Sequence, residues 1–231
     1  MTQDIRNRLF DQFEMSVVDH GWTEISCARL AHRANVDLHE AYAEYPTRFS
    51  YVSDLIRRID RTMLDDFDTA LADEPARDRL FDVLMGRFDA MQDHRALIVS
   101  LSKAAKYDPM LAMHLCALSA LTGEWIMEMA HISSAGMMGQ VRNKGALLAY
   151  GRAFAIWLED ESEDLSRTMA VLDKILHRGE RALCKTEKLL CRMNKLRKCC
   201  SRSSFRDRRS GRRTSEPVSS VDESEGLATV S

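Results

Sequence analysis

Glu128 and His131 stand three residues apart, the Glu-x-x-His spacing with which helical bundles hold a di-iron centre. Such a centre needs a second copy of that pair and two further glutamates. This chain has one Glu-x-x-His, so no metal site is expected. A denser acidic group, Asp160-Glu161-Ser162-Glu163-Asp164, could in principle pair carboxylates as acid and base. It falls between two helical stretches, however, where an acid or serine just before Leu165 caps a helix and complements its dipole. Capping is the reading adopted. Cys27 and Cys116 lie alone in helical patterns as free thiols. Cys184, Cys191, Cys199 and Cys200 have no histidine among them, and their spacing fits neither a zinc ribbon nor a zinc finger. His20, His32, His39, His94, His114 and His177 have no nucleophile at a telling interval. No Gly-rich phosphate loop or nucleophile elbow occurs. Neither catalysis nor a cofactor is expected.

The elements that would position these residues are helices. Prolines number four and glycines ten in 231 residues, with few β-branched runs. Thr2 to His20 places Ile5, Leu9, Phe13 and Val17 on one face. Gly21 follows where a helix end favours a left-handed residue. Thr23 is expected to cap a short helix holding Ile25, Leu30 and Ala31. Ala34-Asn35-Val36 is a turn, with Asn35 at the position that needs positive φ. Asp37 and Glu40 form a capping pair for a third helix ending near Tyr45-Pro46. Thr47 opens a fourth, through Phe49, Val52, Leu55, Ile56, Ile59 and Met63. After Asp73-Glu74-Pro75 come longer helices near Arg77–Met91, Arg95–Tyr107, Met110–Ala130, Gly139–Glu159 and from Leu165 onward. The expected fold class is all-α.

A supporting helix followed by two helices and a tight turn makes a helix-turn-helix unit. The series His20-Gly21-Trp22-Thr23, Leu30-Ala31, Ala34-Asn35-Val36, Ala41-Tyr42 and Tyr45-Pro46-Thr47-Arg48 resembles the N-terminal domain of TetR-like regulators. It departs in having Asn35 for the usual turn glycine and Tyr45 for a phenylalanine. The resemblance implies a TetR-like fold in which this unit precedes a helical ligand-binding and dimerisation bundle. The candidate recognition helix, Asp37 to Glu44, carries three acids and no lysine or arginine. Across the first 60 residues seven arginines face ten acids, a poor balance for a duplex dense in negative charge. Two readings stay open: a helix-turn-helix kept as a scaffold, or a working regulator using Arg29, Arg33, His39, Tyr42 and Arg48 on DNA.

Arg142-Asn143-Lys144-Gly145-Ala146-Leu147, then Tyr150, Trp157, Asp160-Glu161-Ser162, Asp164, Thr168, Leu172-Asp173 and Leu176 resemble the terminal helices of the Coq-nine family. Its members are lipid-binding accessory proteins of ubiquinone biosynthesis, also TetR-like in fold. That resemblance implies a homodimer that holds an isoprenoid lipid or quinone intermediate and presents it to a demethoxyubiquinone hydroxylase-like enzyme. Candidate lipid contacts are Met110, Met113, Leu118, Leu121, Met127, Tyr150, Phe154 and Trp157, since soft methionines suit an adaptable cavity. An ordinary core explains the same residues. Trp125, Met129, Met137, Met138 and Arg142 form a candidate partner surface, with dimer contact as the alternative.

Toward the C-terminus Leu189, Leu190, Met193 and Leu196 alternate with Lys188, Arg192 and Lys195. That pattern fits an amphipathic helix lying on an anionic membrane, or a final helix packed on its own body. From Arg192 to Arg213 ten cations accompany one acid, and Arg206–Arg213 could touch nucleic acid nonspecifically. No stretch is expected to span a bilayer, and no leader is expected at the N-terminus. The expected organisation is a helix-turn-helix domain over 1–64, a helical lipid-binding and dimerisation domain over 65–183, a basic amphipathic helix over 184–200 and a disordered tail over 201–231. The expected role is a bacterial ubiquinone accessory protein, cytoplasmic and peripheral to the membrane. A ligand-responsive DNA-binding regulator is the alternative.

Overall fold

Nine α-helices and two short 3-10 turns account for the computed structural model, which describes residues 2–65, 74–162 and 164–182. The helices are α1 (Thr2–His20), α2 (Cys27–Arg33), α3 (Leu38–Glu44), α4 (Arg48–Asp65), α5 (Ala76–Ala90), α6 (Arg95–Ala104), α7 (Pro109–Met129), α8 (Gly136–Trp157) and α9 (166–182). No strand occurs among the described residues. The fold is all-α and TetR-like. Residues up to Arg181 form one compact unit.

The chain starts and stops its helices largely where local chemistry requires. Leu9, Phe13 and Val17 are fully buried along α1. Gly21 ends that helix at φ 85°, and its N–H donates to the Val17 carbonyl at 3.0 Å. Asn35 turns the chain between α2 and α3 at φ 50°, the left-handed conformation that asparagine tolerates best among residues with a side chain. The Ser50 N–H donates to Thr47 Oγ1 at 3.3 Å, which caps α4. Pro109 occupies the first turn of α7 behind Asp108, whose carboxylate accepts from the Met110 and Leu111 amides.

Two expected caps are corrected. Thr23 lies within a 3-10 turn, Trp22–Glu24, and Ser26 takes the N-cap position of α2. Asp37 takes the N-cap of α3, but its side chain makes no capping bond, so the pair with Glu40 does not form. The expectation about membrane spans is corrected too. By length and composition alone α7 is long and apolar enough to cross a bilayer. It is nonetheless a packed helix on one side: Leu111, Thr122, Gly123, Ile126 and Met127 are buried. A Cβ built at Gly123 would meet the Leu147 side chain at 3.0 Å, so glycine there lets α8 approach closely.

The core runs from the α1–α3 unit into the later helices through α4, which packs on α5 and α7. Two polar clusters lie along it, the first around buried Asp54 and the second, around Asp108, partly exposed. Asp54 on α4 accepts from Arg6 at 2.6 Å, Tyr45 at 2.7 Å and Arg58 at 3.0 Å. Asp108 accepts from the Trp22 indole at 2.8 Å and from Arg48 at 3.4 Å, and Arg48 lies over the Trp22 ring at 4.5 Å. The second cluster ties the helix-turn-helix to the start of α7.

Candidate functional site

The outward face of α3 is built from Leu38, His39, Tyr42 and Ala43, all exposed, with Leu38 at 56% and Tyr42 at 68%. Only Ala41 of this helix is buried, against α1 and α2. Its three nearby acids do not behave alike. Glu44 turns away and pairs with Arg6 at 3.6 Å, its side chain 16% exposed. Asp37 and Glu40 stay exposed at the N-terminal end, where the helix dipole favours them.

The candidate DNA-contacting arginines separate in the structure. Arg29 and Arg33 are exposed on α2; Arg29 is anchored on the Glu24 carbonyl and Arg33 on Ser16 of α1 at 3.1 Å. Arg48 does not join them. Its guanidinium is committed to Trp22 and Asp108. Asp108 lies below its ordinary pKa because the Trp22 indole and the α7 amides donate to it, with Arg48 adding charge. Sequence alone placed Arg48 just past the recognition helix but could not show which way it pointed.

A second site lies behind α4. There a cavity of about 100 Å³ has Ile56 and Ile59 of α4, Arg87 and Met91 of α5, and Leu101 of α6 on its walls. Leu115 and Ser119 of α7 with Tyr150 and Phe154 of α8 complete it. The guanidinium of Arg87, 2% exposed, forms an ion pair with Asp60, and its Nε donates to the Tyr150 hydroxyl at 3.2 Å. Thr122 donates to the other Asp60 oxygen at 3.2 Å. Burial alone would lower the Arg87 pKa; Tyr150 and Asp60 outweigh it and raise the value, so the group stays charged. This network joins α4, α5, α7 and α8. Sequence reading missed Asp60, Arg87 and Thr122. The signal was present at Arg87, a charge on the stripe of Leu84, Phe88 and Met91 that is otherwise buried.

Of the eight candidate lipid contacts, the structure brings Tyr150 and Phe154 to this cavity. Met110, Met113 and Leu121 are corrected: they are 60%, 65% and 61% exposed on α7. Leu118 is half-buried. Met127 and Trp157 are buried but away from the cavity walls; Trp157 packs on Phe154 and Phe88 with Arg95 over its ring at 4.6 Å. The candidate partner surface divides as well. Trp125 is 54% exposed and Met129 is buried, while Met138 and Arg142 are half-buried. The Met137 side chain and the membrane-binding set Lys188, Leu189, Leu190, Arg192, Met193, Lys195 and Leu196 lie outside the described residues. Glu128 and His131 are exposed near the end of α7, and no cluster of metal-ligating side chains occurs among the described residues. Asp160 is a structural cap. Burial pushes its pKa up, but bonds from Ser162 and Thr168 prevail and hold it well below the usual carboxylate range.

No family model and no curated protein matches this sequence. Solved structures do match. A TetR transcriptional regulator from Nitrosomonas europaea superposes with a TM-score of 0.61 at 19% identity, covering 75% of this chain and 96% of its own. One from Rhodococcus sp. RHA1 gives 0.53 at 14% identity, covering 76% and 98%. A TetR-family regulator from Streptomyces coelicolor gives 0.51 at 14%, covering 85% and 100%. These neighbours overturn the ubiquinone-accessory role expected from the resemblance to the Coq-nine family. The geometry gives a physical reason: a cavity of about 100 Å³ cannot enclose an isoprenoid chain, and of the methionines meant to line one Met110 and Met113 face water while Met127 is buried away from the cavity. The chain has the TetR-like fold, with its helix-turn-helix at the N-terminal end.

Proposed function

We propose that this protein is a ligand-responsive, DNA-binding transcriptional regulator that acts as a homodimer and performs no catalysis. The observation that carries the reading is the outward face of α3, where Leu38, His39 and Tyr42 stand in water while Glu44 is drawn back onto Arg6. A helix entering the major groove needs such a face: an apolar group for a thymine methyl and a ring nitrogen or hydroxyl for base edges. Arg29 and Arg33, exposed on α2, are the candidate phosphate contacts. Arg48 instead holds the unit on the body through Trp22 and Asp108.

The dimer face fits the outward sides of α7 and α8, which expose Leu121 and Trp125 on one helix and Val141 and Leu148 on the other. Control by a ligand fits the position of α4. Its first turns carry the helix-turn-helix, and Ile56 and Ile59 further along form the cavity wall. A molecule entering that cavity acts on the helix that aims α3.

Selection from a randomised duplex library at low salt tests this reading. Enrichment of a two-fold symmetric sequence supports it. Recovery of unselected sequences after repeated rounds defeats it.

A further inference from the structure

A cleft between the start of α1 and the second half of α4 is lined by Gln3, Arg6, Asp54, Arg57, Arg58 and Arg61. Four cations around one acid give it a surplus of positive charge, in a chain whose net charge is −2. The acid does not oppose an incoming anion. Asp54 is buried, and both its oxygens are covered: Oδ1 accepts from Arg6, and Oδ2 from Tyr45 and Arg58. Glu44 lies 3.6 Å from the remaining end of the Arg6 guanidinium. Asp54 and Glu44 thus balance Arg6 and Arg58, and Arg57 and Arg61 are left over. Both are exposed and stand four residues apart on α4, where like charges repel. Among the described residues neither guanidinium has a hydrogen-bond or ion-pair partner. Each offers five donors in a fixed plane, which match the oxygens of a phosphate. The cleft is about 120 Å³, room for about four waters at about 30 Å³ each. One phosphate group fits, and anything attached to it must extend into solvent past Arg57 and Arg61.

We propose that this cleft binds a phosphate dianion, either inorganic phosphate or the terminal group of a small phosphate monoester. Arg57 and Arg61 bind its oxygens, and Arg6 and Arg58, held in place by Asp54, form the partly buried floor. A phosphodiester carries a single negative charge and would leave one of the two guanidinium groups unbalanced, so the backbone of a duplex fits the cleft less well. The lining includes no residue of α3 and neither Arg29 nor Arg33, and the proposal stands independently of the regulator reading.

Calorimetric titration of the full chain tests it, at low salt and about pH 8, where a phosphate monoester with its second pKa near 6 is a dianion. The probes are inorganic phosphate, methyl phosphate and the diester dimethyl phosphate. Both dianions should bind at least tenfold tighter than the diester; the tighter of the two identifies the source, and either order supports the site. Arg57→Gln and Arg61→Gln should each weaken the dianions about tenfold, the worth of a hydrogen bond to a charged group. Their melting without phosphate should match the native chain, which shows that they fold. Arg178→Gln, exposed on α9, should leave phosphate binding unchanged. Dimethyl phosphate binding as tightly as methyl phosphate, Arg178→Gln weakening phosphate as much as Arg61→Gln, or failure of both dianions to bind the native chain would each overturn the proposal.

Discussion

Two neighbouring tyrosines show how far a hydroxyl's partner decides its effect. Tyr45 and Tyr51 stack at 3.9 Å between ring centroids, and both are buried. Tyr45 donates to Asp54 at 2.7 Å, whereas the Tyr51 hydroxyl has no hydrogen-bond partner. An unpaired buried hydroxyl costs about 1–3 kcal/mol, so Tyr51→Phe should raise stability by about 1 kcal/mol. Tyr45→Phe should lower it by a similar amount by taking a donor from Asp54. Urea denaturation of the two variants checks the opposite signs. Asp54 also sets an acid limit. Burial pushes its pKa up, but hydrogen bonds from Arg6, Tyr45 and Arg58 prevail and lower it below its ordinary value. Its stabilisation is therefore complete above the unfolded pKa of about 4 and is lost as pH falls through the lowered value. Asp54→Asn should flatten the fall in stability below about pH 4, read by melting at a series of pH values. Sequence gave Asp54 no distinction, because its partners lie 48 and 9 residues away and at the next turn of α4.

Helices were more legible than their side chains' directions. The stripe of α1, the left-handed Asn35 and the Asp108-Pro109 restart are local signals, and each appears where the chain's own chemistry puts it. Direction is a tertiary property. Arg48 faces Trp22 because Asp108, 60 residues later, completes the cluster. The exposed methionines of α7 went unread for a like reason: an apolar helix carries no local mark of which side a second copy covers. If α7 and α8 form the dimer face, Trp125→Glu with Leu148→Glu should give a folded monomer at concentrations where the native chain is a dimer. Light scattering on a sizing column would show it, and an unchanged mass would place the interface elsewhere. The sparse cations near α3 make a further prediction. With Arg29 and Arg33 as phosphate contacts, a dimer neutralises about four phosphates. The slope of log affinity on log salt should then be near −4. A slope near −8 would mean other cations carry the binding.

At the scale of the molecule, the TetR-like architecture was readable from the order of helices and the turn between α2 and α3. The expected lipid role was not sustained, because cavity size and methionine exposure depend on how the helices close on one another. The account that remains links three places through α4. In the proposed regulator the outward face of α3 would meet the duplex, the Trp22–Arg48–Asp108 cluster ties the helix-turn-helix to α7, and the cavity beside Arg87 and Tyr150 lies against α4. Its central claim is sequence-selective DNA binding by α3. The most direct test is to compare the native chain with Tyr42→Ala on the duplex recovered by selection and on an unrelated duplex of equal length. The account predicts that the native chain prefers the selected duplex by about a thousandfold, near the lower end for specific binders. Tyr42→Ala should lose at least tenfold of that preference while binding the unrelated duplex unchanged. Equal affinity of the native chain for both duplexes would contradict it.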